Sequence, residues 1–153
     1  MPMGGYLGIL CVLAVAGLLQ RNEPMLRTSL VILANWLANT AFVTIAGVYD
    51  PWVWFMLTDA IAAGVVLMHP AGRMQASIGW IYISMILVHF GYWFARNPDA
   101  ILDYLYILDW LAVAQIGLMV LWGMGGVARR IGHHLHRADR RLSQPSRMAG
   151  VDE

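Results

Sequence analysis

The sequence predicts an all-α integral membrane protein: a bundle of about five transmembrane helices followed by a C-terminal basic amphipathic helix. Three observations predict it. Of the 153 residues, 59% are hydrophobic and 12% are charged, whereas a soluble domain carries about twice that charged fraction. The few charges gather in short breaks between apolar runs long enough to cross a bilayer. The ten Lys/Arg positions are all arginine, and they segregate. With five spans, Arg21, Arg27, Arg73 and the six arginines beyond Ala128 fall on one side, and Arg96 alone falls on the other. That bias places the arginine-rich side in the cytoplasm. The chain therefore reads as a bacterial inner-membrane protein with its amino terminus outside and its tail inside.

The first expected span is 4–20. Its neutral flank lacks the basic residues of a signal peptide, although Ala14-Val15-Ala16 resembles a cleavage site. Gly4 and Gly8, like Ala60 and Gly64 later, stand four apart, a spacing that permits close helix approach. The single cysteine, Cys11, excludes an intrachain disulfide and reads as a small buried hydrophobe. Residues 21–27 (RNEPMLR) form a polar break with a proline. The second span, 28–49, carries Asn35 and Asn39 one turn apart, with Thr40 and Thr44 on the adjacent stripe. A lipid-facing asparagine is unfavourable, so this face should point into the bundle.

Asp50-Pro51 turns tightly into the third span, 52–69, which makes the second and third spans antiparallel neighbours. The short turn 70–75 (PAGRMQ) leads to the fourth span, 76–95. Residues 96–100 (RNPDA) end it, and the fifth span is 101–126. Residues 1–126 thus form the bundle and 127–153 the tail. In the tail, Val127, Ile131, Leu135, Ala138 and Leu142 recur at helical steps, and Arg129, Arg130, Arg137, Arg140 and Arg141 fill much of the remainder. Such a helix suits the surface of a bilayer rich in anionic lipid. From Ser143 the composition reads as a disordered end. Aromatics agree with this layout. Tyr49, Trp52, Trp54, Tyr92, Trp93, Tyr104 and Tyr106 crowd the outer ends, and Trp80 and Trp122 mark the inner ones.

Three ionisable residues interrupt the spans: Asp59, His89 and Asp109. At 1.5 Å per residue they lie about 10, 9 and 12 Å below the outer boundary, in one layer. A lone carboxylate in hydrocarbon is unfavourable, and a neighbouring imidazole relieves it by sharing a proton. Two carboxylates and an imidazole also suggest a cation or metal shell, to which Asn39 could add an oxygen. The expected intramembrane polar site is therefore Asp59, His89, Asp109 and Asn39. The plain structural alternative is that a buried Asp–His contact simply locks helices together.

Other chemistry finds little support. His69 and His89 fall at opposite ends of the bundle and cannot clamp one haem between them. His133, His134 and His136 in the tail are a weak metal signal and read more simply as part of a surface helix. There is no phosphate-binding glycine loop, HExxH, GxSxG or CxxC motif, and no soluble domain to hold an active site. Nucleic-acid binding by the tail is electrostatically allowed, but nothing else supports it. Five short helices with small-residue faces bury little alone, which predicts partner helices from further copies or from another membrane subunit. Three functions fit these features. The first is a proton- or cation-handling membrane protein. The second is a membrane-permeabilising protein resembling a phage holin. The third is a structural or assembly subunit of a membrane complex.

Overall fold

The computed structural model describes residues 3–47, 51–68, 72–95 and 100–142; side chains are described except those of 3–4, 133–135 and 137–142. Every element in it is helical: α1 (Met3–Leu19), α2 (Glu23–Ala46), α3 (Trp52–Met68), α4 (Arg73–Ala95) and α5 (Ile101–Leu142). The expected roles of Asp50, His69, Arg96, Asp99, His133, His134 and the Arg137, Arg140 and Arg141 side chains lie outside the described residues.

Local chemistry moves several expected boundaries. The proline in 21–27 starts a helix rather than breaking one. Asn22 Oδ1 accepts from the Met25 N–H at 3.3 Å. Pro24 sits in the first turn, where its missing N–H loses nothing, and Glu23 lies at the positive end of the helix dipole. Helix α2 therefore begins five residues before Thr28, and Arg27 lies inside it. Its other end comes early too. Gly47 adopts φ 59° and its N–H closes on Val43 O at 3.1 Å, a left-handed cap.

The separate tail helix expected from residue 127 is not separate. Helix α5 runs unbroken for 42 residues through Gly123, Gly125 and Gly126, about 63 Å at 1.5 Å per residue. Glycine lowers helix propensity, but here it serves packing. A Cβ on Gly126 would collide with Gln20 Oε1, and one on Gly123 would lie 3.1 Å from Met25 Cε.

The helices form a closed ring. Each packs on the next in sequence, and α5 returns against α1 and α2. Short links make sequential neighbours antiparallel. The interior is built on Leu10, Leu13, Met25, Ile32, Ala62, Ala63, Val66, Ile78, Tyr82, Met85 and Met119. Ring pairs tie one end together: Phe42 with Trp54, Trp52 with Trp93, and Tyr92 with Tyr104 at 4.2 Å between centroids. At the other end Gln75, placed in a turn by the sequence reading, is buried in α4 and donates to Val66 O at 3.0 Å.

Close approach uses other glycines than the spacing suggested. No atom lies within 4 Å of a Cβ built on Gly8 or Gly64, whereas one on Gly17 would lie 2.9 Å from the Leu26 backbone nitrogen. Cys11, expected to be buried, is exposed on the outer face of α1.

The outside of the bundle is apolar. Ile45, Met68 and Phe94 are each at least three-quarters exposed, while Thr28, Ser29, Thr58, Asp59, Gln75, His89 and Gln115 are buried. Exposed or not, several hydroxyls satisfy themselves within their own helix, as Thr44 does on Thr40 O, Ser77 on Arg73 O and Ser84 on Trp80 O. Three helices are long and apolar enough to cross a membrane by length and composition: α2, α4 and the part of α5 from Ile101 to Gly132. Two shorter helices, α1 and α3, are equally apolar in character.

Candidate functional site

Asp59 and His89 meet. Asp59 points inward from α3 because its neighbours Thr58, Ala62, Ala63 and Val66 form the buried face of that helix. His89 shares the buried face of α4 with Ile78, Tyr82 and Met85. The two residues are 4% and 1% exposed, and His89 Nε2 lies 3.1 Å from Asp59 Oδ2. The second ring nitrogen, Nδ1, lies 2.7 Å from Tyr104 Oη on α5. The other carboxylate oxygen, Oδ1, accepts from Asn35 Nδ2 on α2 at 2.8 Å. A chain Tyr104–His89–Asp59–Asn35 therefore joins four helices.

Two protonation states satisfy both ring nitrogens and both carboxylate oxygens. With the proton of neutral His89 on Nε2, the ring donates to Asp59 and accepts from the Tyr104 hydroxyl. With both ring nitrogens protonated, the imidazolium faces the carboxylate as an ion pair and the tyrosine turns to accept. The same geometry thus accommodates the pair with or without one added proton.

The other two expected members sit differently. Asn39 does not reach Asp59. Its Oδ1 accepts from the Thr58 hydroxyl at 2.7 Å, one turn further along α2, while Asn35 takes the place expected for it. Asp109 is exposed, at the rim of a cavity that Asp59, His89 and Asn39 also line. Among the described residues no three His, Cys, Asp or Glu side chains converge to hold a metal ion. The three-residue metal shell is therefore not assembled, because helix α5 turns Tyr104 rather than Asp109 toward the imidazole.

That cavity measures about 220 Å3 and is lined by residues of all five helices, the pair among them. Its wall is partly aromatic, with Tyr6 stacked on Trp36 at 5.9 Å between ring centroids. Three polar atoms in its lining residues lack a hydrogen bond: Asn35 Oδ1, Tyr82 Oη and Gln115 Nε2. Tyr82 and Gln115 are 1% and 2% exposed. Tyr82 lies beside Gln115 and Asn35 without hydrogen-bonding geometry to either.

Sequence reasoning missed Asn35, Tyr82, Tyr104 and Gln115 as members of this region. Arg130 also has a local task that sequence reasoning did not assign. Its guanidinium donates to Leu19 O at 3.3 Å and to Gln20 O, the free carbonyls at the end of α1. Gln20 in turn donates to Gly123 O at 3.3 Å. Arg129 remains exposed, bonded to Gly125 O of its own helix. No protein-family model, characterised protein or solved structure matches this chain.

Proposed function

We propose that this is a five-span membrane protein that handles protons or cations at the buried Asp59–His89 pair. The observation that carries the proposal is the 3.1 Å contact between Nε2 and Oδ2, with Tyr104 Oη on the opposite ring nitrogen. An imidazole held at both nitrogens passes a proton across its ring: one arrives at Nδ1, another leaves Nε2 for the carboxylate. Intramembrane ionisable groups of this kind mark proton and ion paths.

Five spans require α1 and α3, at 17 residues each, to cross in about 25 Å, the short end of the workable range. The arginine distribution then favours an amino terminus outside and the tail in the cytoplasm of a bacterial cell. Arg73 and Arg129 flank a cleft of about 270 Å3 between α4 and α5, which suits contact between the inner end of the bundle and anionic lipid headgroups.

The test is proton flux into vesicles containing the purified chain and a pH-sensitive dye, driven by an imposed potential. We expect the native chain to acidify the lumen and Asp59→Asn to reduce the rate at least about tenfold, a loss of 1.4 kcal/mol or more in barrier terms. Equal rates for both, or native rates no faster than empty vesicles, would overturn the proposal. Abrupt leakage of a neutral dye above a threshold density would favour a holin-like permeabilising protein instead. Neither flux nor leakage would leave a structural or assembly subunit, with further copies or another membrane protein as its partner.

A further inference from the structure

We propose that the cavity beside the Asp59–His89 pair is a binding site for a small protonated amine. The inference rests on the cation-handling reading above and names the substrate class of that site.

Charge is the first argument. Two carboxylates, Asp59 and Asp109, and one imidazole line the cavity, and among the described residues its wall carries no arginine. A protonated His89 balances Asp59 alone. Asp109, exposed at the rim of the cavity, is left without a compensating charge in a segment apolar enough to span a membrane. Such a carboxylate calls for a cation beside it.

Size is the second. One water needs roughly 10–15 Å3 of this kind of space, so a cavity of about 220 Å3 is far larger than a bare ion fills. It admits a guest of several heavy atoms.

The third argument is the wall itself. Tyr82 Oη and Asn35 Oδ1 have no hydrogen-bond partner, and both can accept from an N–H of the guest. Tyr6 and Trp36 also line the cavity; aromatic side chains attract a cation and cover the apolar part of an alkylamine. An ammonium group near Asp59, Asn35 and Tyr82, with its alkyl part toward Trp36 and Tyr6, meets all three demands. A neutral alcohol of the same shape lacks the charge.

The experiment uses the full chain in lipid nanodiscs, with propylammonium as the probe and propanol as its neutral counterpart, followed by titration calorimetry. We expect saturable binding of propylammonium and at least tenfold weaker binding of propanol. Tyr82→Phe and Asp109→Asn should each weaken propylammonium about tenfold. Tyr82→Phe removes a hydroxyl that lies beside Gln115 and Asn35 and makes no hydrogen bond of normal geometry, so its thermal stability should stay close to that of the native chain. Absent or non-saturable binding, equal binding of propanol, or native affinity in both variants would overturn the inference. Proton flux measured on the same protein separates the two claims. Flux without amine binding removes the amine site and keeps the proton path. Amine binding without flux removes the path and keeps the site.

Discussion

His89 is held at both ring nitrogens, and each contact does a different job. Asp59 supplies charge, and Tyr104 supplies orientation by accepting or donating at Nδ1. Tyr104→Phe leaves a buried ring nitrogen short of that hydroxyl, which costs on the order of 1–3 kcal/mol. The expected result is a lower unfolding midpoint in a denaturing-detergent titration with the Asp59–His89 contact retained; an unchanged midpoint would show that Tyr104 does not orient the ring. Asp59 and His89 were legible in the sequence because each interrupts an apolar run and no lipid-facing role suits it. Tyr104 was not, because a tyrosine at the outer end of a span reads as an interfacial anchor. Asn35 was expected on the bundle-facing side of its helix, but its contact with Asp59 was not, because which of Asn35 and Asn39 meets the carboxylate depends on how α2 and α3 pack. The orphaned atoms of Tyr82 and Gln115 were not legible either, since an orphaned atom is a property of the packed bundle and of no single residue.

At the scale of the elements, hydropathy located all five helices, and chemistry at their ends set the boundaries. Pro24 was read as part of a polar break, since proline disfavours helix interiors. It lies in a first turn, and Gly123 and Gly126, at the boundary expected after residue 126, face Met25 and Gln20 of neighbouring segments. The contact between α1 and α2 is tightest at Gly17, where a Cβ would lie 2.9 Å from Leu26 N and 3.0 Å from Leu26 Cα. Backbone cannot yield as a side-chain tip does. Gly17→Ala should therefore cost about 1–3 kcal/mol, while Gly64→Ala, which meets nothing within 4 Å, should leave stability unchanged or raised. Thermal unfolding of the two variants side by side checks this; equal midpoints would mean that α1 and α2 part easily.

For the whole molecule, the outward apolar surface and the inward polar residues suit a lipid solvent, in which backbone and side-chain polar groups must be satisfied within the protein. The proposed five-span arrangement makes a direct prediction about sidedness. In a Cys11→Ser background, a single cysteine at Pro51 should react with an impermeant maleimide added to intact cells, and one at Gly72 should react only after the cells are opened. Labelling of both positions from one side would require a different number of crossings. The ring closure of α5 on α1 was not readable from the sequence, because it depends on Arg130 and Gln20, which lie 110 residues apart and pair through a backbone carbonyl.

The unbroken course of α5 has a mechanical consequence. Tyr104, at the imidazole, and Leu142, beyond the bundle, belong to one stiff rod about 57 Å apart. If the rod pivots near Tyr104, a tilt of roughly 5° moves the far tip by about 5 Å. In that case the helix is a lever arm: a small rearrangement around His89 would be magnified into a displacement at the arginine-bearing tip, and a force on that tip would act back on the imidazole.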